Sequence, residues 1–321
     1  MTITEGAPVP PTADAAPPVI QVSGLRMSYG STDVLHGVDL DVRRGEVFAL
    51  LGPNGAGKST TVEILEGFRQ RSAGTVRVLG TDPARGGDAW RGRIGLVLQS
   101  WRDHRRWRVA ELLTHFATYH EAPRDPAELL ALVGLTGQSG KQVEQLSGGQ
   151  RRRLDVALAL VGRPELVFLD EPTTGFDPEA RRDFHDLIER LARDEGVTVL
   201  LTTHDLVEAE RLADRIAMLV NGRIRAHGTP AELARSAAAQ AEVRWTAPDG
   251  TARREHTADP SRLVWELHRE IGGPVADLEV RRPTLEDTYL RMVHREEAPQ
   301  AAAGPVTDAL DGGVGRQNRA A

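Results

Sequence analysis

Glu46-Val47-Phe48-Ala49-Leu50-Leu51-Gly52-Pro53-Asn54-Gly55-Ala56-Gly57-Lys58-Ser59-Thr60 is the stretch from which the rest of the chain can be read. Its first part is a near-continuous apolar run, the pattern of a strand buried on both faces of a parallel sheet. That run leads directly into Gly52 to Ser59, which fits G-x-x-x-x-G-K-[ST], and a helix carrying Val62, Ile64, Leu65 and Phe68 is expected next. In such a strand, loop and helix, the glycines let backbone N–H groups converge on phosphate oxygens, and the helix N-terminus adds positive potential. Lys58 then places a compact ammonium near the β- and γ-phosphates, and Ser59 is expected to ligate magnesium. Only Lys58 and Lys141 are lysine among 40 basic residues. A lysine kept here in an arginine-dominated chain fits a position that needs a point charge, not a planar guanidinium.

Working outward, Val19 to Ser28 and Asp39 to Val42 read as short strands before the loop, and Thr75 to Leu79 and Ile94 to Leu98 as strands after it. Between Arg108 and Gly162 the reading turns helical, with one stripe at Leu112, Leu113, Phe116 and Tyr119 and another at Leu129, Leu130, Leu132 and Val133. The buried-strand pattern resumes at Leu166 to Leu169. Asp177 is expected to cap a helix with Phe184, Leu187, Ile188 and Leu191 on its apolar face and Gly196 at its end. Val197 to Thr202 is the next strand, Asp205 and Glu208 resemble a capping box, and Ile216 to Val220 closes the core. Strands alternating with helices mean a parallel α/β sheet. A smaller pattern follows Leu233: a hairpin at Pro248-Asp249-Gly250, a helix at Ser261 to Ile271, a strand at Val275 to Val280 and a helix opening at Thr284. No internal repeat is present.

Two further elements give the phosphate loop its chemistry. Leu166-Val167-Phe168-Leu169-Asp170-Glu171 ends a buried strand on two acids: Asp170 to organise magnesium, Glu171 to polarise the attacking water as general base. Leu146-Ser147-Gly148-Gly149-Gln150 opens a helix in which Ser147 is a natural N-cap and two glycines let backbone N–H groups approach an anion. Arg151, Arg152 and Arg153 follow in the first turns, where their charge opposes the helix dipole, so the electrostatics call for an anion there.

These residues resemble the signature of the ATP-binding cassette (ABC) ATPases, and the resemblance covers about residues 19–233. It implies an α/β P-loop core with an N-terminal antiparallel β subdomain and a helical insertion at about 100–163, ATP and Mg2+ as cofactors, and binding by Gly52, Pro53, Asn54, Gly55, Ala56, Gly57, Lys58, Ser59 and Thr60. By the same resemblance Tyr29 stacks on adenine, and Gln99 joins Ser59 and Asp170 at magnesium and links the attacking water to the transport partner. Asp177 crosses a dimer interface and His204 touches the γ-phosphate. Taken alone, Tyr29 also reads as a rim aromatic, Gln99 as a polar strand end, Asp177 as a helix cap and His204 as a loop histidine. The family's two-site logic has Ser147, Gly148, Gly149 and Gln150 complete the nucleotide site of a second copy. Arg151-Arg152-Arg153-Leu154-Asp155 and the phrase Pro283-Thr284-Leu285-Glu286-Asp287-Thr288-Tyr289-Leu290 resemble the daunorubicin-resistance type of exporter subunit, with a small α+β C-terminal domain at 234–295. Read from the residues alone, that phrase is Thr284 capping a short helix with Asp287 at N3.

Composition bounds the alternatives. The 321 residues carry 40 Lys and Arg against 46 Asp and Glu, a net charge of -6, so no global basic field exists to hold nucleic acid, and no nucleic-acid partner is expected. With no cysteine, thiol catalysis and Cys-ligated metal sites are excluded. The apolar runs Val47 to Leu51 and Val156 to Val161 are far shorter than the ~18 residues of a membrane helix. Residues 1–18 read as a disordered leader without signal-peptide features, and 296–321 as a disordered tail. The expectation is a cytoplasmic ATPase subunit that dimerises on ATP and sits on the inner face of the membrane through a separate polytopic permease, exporting a drug, antibiotic or other hydrophobic compound. A soluble ABC ATPase acting on ribosome or nucleic acid is the alternative, and a degenerate non-hydrolysing subunit is opposed by Glu171 and His204. Ser100 to Arg108, with two tryptophans and four arginines, lies where the resemblance puts the groove for the permease, and these residue types are enriched at interfaces; from the residues alone the tryptophans also fit inside the helical insertion with the arginines as a solvated face.

Overall fold

The computed structural model describes residues 17–97, 104–236, 241–281, 284–287 and 289. Gln99, Trp101, the leader before Pro17 and the tail at 296–321 lie outside the described residues.

The chain opens with β1 (Ile20–Tyr29) and β2 (Thr32–Val42), then β3 (Val47–Leu51), α1 (Lys58–Leu65), β4 (Ala73–Val78), α2 (Asp88–Arg91) and β5 (Ile94–Val97). Three helices follow, α3 (Val109–Ala117), α4 (Pro126–Leu132) and α5 (Gly148–Leu160). β6 (Leu166–Asp170), α6 (Pro178–Arg193), β7 (Thr198–Thr203), α7 (Leu206–Leu212), β8 (Arg215–Val220), β9 (Arg223–Gly228) and α8 (Pro230–Ser236) complete the large unit. β10 (Ala241–Thr246), β11 (Ala252–Thr257), α9 (Pro260–Ile271) and β12 (Ala276–Arg281) form the small one.

Six strands make the central sheet in the order β5-β6-β7-β3-β8-β9, parallel except for β9, which pairs antiparallel to β8. Alternation along β3 sends Val47, Ala49 and Leu51 into one hydrophobic core and Phe48 and Leu50 into another. β6 divides likewise, Val167 and Leu169 against Leu166 and Phe168. Both strands are therefore buried on both faces, as their apolar runs predict. The first core takes in α3 to α7, so the helical segment is continuous with the sheet it covers. The second is closed by the antiparallel sheet β2-β1-β4 together with α1 and Trp90. Arg215 stitches the antiparallel sheet to the central one: from β8 it pairs with Asp41 at 3.0 Å and Glu46 at 3.2 Å, its guanidinium 5.6 Å from the Phe48 ring centre. Burial pushes the Glu46 carboxyl above its usual range, with the Arg43 N–H and the Arg215 charge opposing.

Several expectations are corrected. α1 ends at Leu65, so Phe68 lies beyond it and is 67% exposed; Tyr119 lies beyond α3 and is 70% exposed. Glu208 does not reach back to close a capping box on Asp205. It is buried, accepts a hydrogen bond from Thr173 Oγ1 at 2.8 Å and lies 3.5 Å from His185 Nε2. Asp205 alone caps α7. β2 starts seven residues before the expected Asp39, at Thr32, and β9 was not expected. Arg152 is buried and donates to the carbonyls of Pro172 and Asp170 at 3.2 and 2.8 Å, while Arg153 pairs with Asp183. Two of the three arginines on α5 thus tie the helix to its own chain, so an anion at the helix start is not needed to balance them.

The small unit is the antiparallel sheet β11-β10-β12 with α9 packed on it through Val243, Trp245 and Leu267. Its hairpin turns at Asp249-Gly250, where Gly250 has φ 81° and Asp249 accepts from the Thr251 N–H. Thr284 and Asp287 form the expected reciprocal cap. Leu285, one residue later than that cap begins, is fully buried in the first large core, with Tyr289 packed against the same cluster. The end of the small unit therefore returns to the large one.

Candidate active site

β3, β7 and β6 are adjacent and parallel, so their carboxyl ends open on one edge of the sheet, where open α/β sheets hold ligands. The loop after β3 supplies Gly52 to Gly57. Gly52 allows no side chain, since a Cβ there would lie 2.2 Å from the Leu219 carbonyl oxygen. Gly57 sits at φ 103° as the N-cap of α1, a conformation that glycine adopts without steric cost. Lys58 and Ser59 begin α1. Lys58 is buried, and its Nζ donates to the Gly52 and Pro53 carbonyls at 2.7 and 3.2 Å. Asn54, Gly55 and Ser59 are exposed, and Ala56 and Gly57 are buried beneath them. Tyr29, at the end of β1, brings its hydroxyl 3.5 Å from Thr60 Oγ1 and carries the Arg69 guanidinium 4.9 Å from its ring centre.

Asp170 ends β6, and Glu171 follows at φ 42°. The Glu171 carboxylate lies 3.4 Å from Lys58 Nζ and 3.3 Å from His204 Nδ1, and accepts from Thr174 Oγ1 at 3.3 Å. Burial raises this carboxyl, but the charges of Lys58 and His204 and hydrogen bonds to both outweigh it, so Glu171 titrates below the usual range. It is an ionised acceptor at neutral pH, the state a base for water requires. Glu66, near the end of the first helix, is a carboxyl of the opposite kind: burial and then the charges of Asp170 and Glu63 push it to about 8.

Ser147 caps α5 through a reciprocal bond pair: its Oγ accepts from Gln150 N–H at 3.3 Å and the Gln150 side chain accepts from Ser147 N–H at 3.2 Å. Ser147 and Gly148 are exposed, and nothing lies within 4 Å of the place a Gly148 side chain would take. Asp177 Oδ1 accepts from the Glu179 and Ala180 N–H groups at 3.0 and 2.8 Å, so it caps α6. The structure thus joins Lys58, Ser59, Asp170, Glu171, His204 and Tyr29 around one loop, while Ser147 to Gln150 open a different helix. Thr202 was missed in the sequence, and Arg152, expected to favour an anion at the helix start, instead ties α5 to the carbonyls of Asp170 and Pro172. Thr202 had a signal: a threonine closing an apolar central strand on the edge where the site lies.

A phosphate cradle on one strand and an acidic pair two strands away are what a P-loop nucleoside triphosphatase needs, and the sheet order delivers both to a single edge. Residues 35–174 match the ABC transporter family. The chain is 43% identical over 223 residues to the Nod factor export ATP-binding protein I of Ralstonia nicotianae, spanning 67% of this chain and 68% of that one. It is 37% identical over 313 residues to the daunorubicin resistance ATP-binding protein DrrA3 of Streptomyces coeruleorubidus, spanning 88% of this chain and 98% of that one. Among solved structures, the ATP binding subunit of an ABC transporter superposes with a TM-score of 0.61 at 29% identity, covering 68% of this chain and 92% of that one. The protein belongs to the ABC transporter ATP-binding proteins, and it is an ATPase. No helix among the described residues is long and apolar enough to cross a membrane.

Proposed function

We propose that this chain is the ATP-hydrolysing subunit of an exporter, in which two copies close around ATP and drive a separate polytopic permease. The compound carried is a drug, antibiotic or other hydrophobic molecule, and the subunit works on the cytoplasmic face. The observation that carries this reading is the meeting of Lys58, Asp170, Glu171 and His204 at the carboxyl ends of β3, β6 and β7. Relatives named for Nod factor export and daunorubicin resistance support the direction of transport.

In this reading backbone N–H groups of the loop between Asn54 and Thr60 and the Lys58 ammonium hold the phosphates, and Tyr29 stacks on the adenine. Glu171 takes a proton from water as its oxygen bonds to the γ-phosphorus and the bond to the β,γ-bridging oxygen breaks, releasing ADP and phosphate. His204 steadies the γ-phosphate beside Glu171. Ser147, Gly148, Gly149, Gln150 and Asp177 of a second copy cover the nucleotide. No group of three or more His, Cys, Asp or Glu gathers to hold a metal among the described residues, so there is no self-sufficient cage. The Ser59 hydroxyl and Asp170 carboxylate, with Gln99, are the few hard oxygen donors that suit Mg2+, which keeps waters and phosphate oxygens as its other ligands. When bound there, the ion neutralises phosphate charge.

Glu171→Gln tests the assignment. It should keep ATP binding, lose about 100-fold or more in turnover and accumulate ATP-dependent dimers in size-exclusion chromatography. Phosphate release at the wild-type rate removes Glu171 from the role.

A further inference from the structure

Thr202 has no part in the hydrolysis steps, yet its side chain meets the acidic pair. It stands next to last in β7, the strand between the one bearing the phosphate loop and the one bearing the acids, and it is fully buried. The parallel register sets it directly beside Asp170. Its hydroxyl has one proton to give and lone pairs to receive. The proton goes to Asp170 Oδ1 at 2.5 Å, and Oγ1 accepts the backbone N–H of Glu171 at 3.0 Å. One oxygen therefore touches both members of the acidic pair, one through its side chain and the other through its main chain.

The second contact matters because of the backbone it holds. Glu171 lies at φ 42°, a left-handed conformation that strains a side-chain-bearing residue and persists only when its surroundings impose it. That turn ends the strand and aims the carboxylate at Lys58 and His204. The N–H leaving the ladder at this point needs an acceptor, and the Thr202 hydroxyl supplies it. We propose that Thr202 is a positioning residue for ATP hydrolysis: its buried hydroxyl locks the Asp170 carboxylate and the turned backbone of Glu171 into one fixed arrangement. The inference rests on the reading of Asp170 and Glu171 given above.

Packing and hydrogen bonding can be separated, because valine keeps the shape of threonine without its hydroxyl and serine keeps the hydroxyl without its methyl. The full chain carrying Thr202→Val or Thr202→Ser is compared with wild type for kcat and KM with ATP, for nucleotide affinity and for the Mg2+ concentration at half-maximal rate. Thr202→Val is expected to lower kcat about 10- to 100-fold, as loss of alignment does, with KM and nucleotide affinity within about threefold and the Mg2+ midpoint raised. Thr202→Ser is expected within about threefold of the wild-type kcat. In a Glu171→Gln background Thr202→Val should cost much less than it does alone, because the group it positions is gone. If Thr202→Val does not fold, Thr202→Ala against Thr202→Ser makes the same comparison, since both lack the methyl and differ only in the hydroxyl. A wild-type kcat in Thr202→Val beside an inactive Glu171→Gln overturns this inference alone, as does a Thr202→Ser as impaired as Thr202→Val. A wild-type rate in Glu171→Gln overturns the reading beneath it and this inference together.

Discussion

Asp155 and Glu171 are two carboxyls that the same fold drives in opposite directions. Glu171 faces Lys58 and His204 and is held ionised. Asp155, on α5, borders an apolar cavity of about 240 Å³ with Phe116, Leu158 and Val97 on its wall, and burial pushes its carboxyl to about 6 against the pull of Arg152 and Arg151. Between its ordinary value of 3.8 and about 6 the unfolded chain gives up this proton while the folded chain keeps it. Stability therefore falls as pH rises through that window, and the deficit is complete above it. Asp155→Asn removes the charge that has to be buried. Its melting temperature should match wild type below pH 3.8 and exceed it above pH 6, a gain of at most about 3 kcal/mol from the size of the shift. Equal melting temperatures at both ends would mean that Asp155 is solvated.

At the scale of elements, the proposed function would set the opening of α5 against a second copy and the segment before α3 against the permease. Ser147→Ala should bind nucleotide as a single subunit yet fail to close a dimer, whereas Lys58→Ala should fail at the phosphates. Mixing the two gives one dimer arrangement in which a single composite site is intact, and partial ATPase recovery in the mixture is the expected result. No recovery at any ratio speaks against two-site closure. Trp107, 37% exposed, lies tilted against His115, ring centres 4.8 Å apart, and 5.8 Å from the His104 ring. Trp107→Ala should leave the isolated ATPase rate near wild type and weaken co-purification with the permease; a lowered melting temperature with intact permease capture would make it a packing residue. The strand, loop and α1 were legible in the sequence because their signals are local: an unbroken apolar run and a fixed glycine spacing. So were the caps at Ser147, Asp177 and Thr284, each of which bonds to N–H groups two or three residues ahead. The bond from Thr202 to Asp170, the inward turn of Glu208 and the burial of Arg152 join segments that only the folded sheet brings together. Tyr119 and Phe68 misled because their helices stop before periodicity reaches them.

Over the whole molecule, the small unit is not a free appendage. Its own core is Val243, Trp245 and Leu267, but the chain leaves the large core near Leu233 and re-enters it at Leu285. Leu285→Ala should cost about 2–5 kcal/mol, read as a drop in the melting temperature of the nucleotide-binding core and not only of the small unit. An unchanged core transition would make Leu285 peripheral. Truncation after Arg235 should for the same reason leave a folded but less stable ATPase.

Because both ends of the small sheet are moored, its hairpin tip at Asp249-Gly250 is the middle of a loop whose two shores are fixed to one body. A protease that cut there would sever the covalent chain without freeing either piece, and the nicked protein would travel as one particle until denaturant parted it. The same moorings make that tip a place where a foreign peptide could be spliced in and displayed, with the sheet edge that handles ATP left undisturbed.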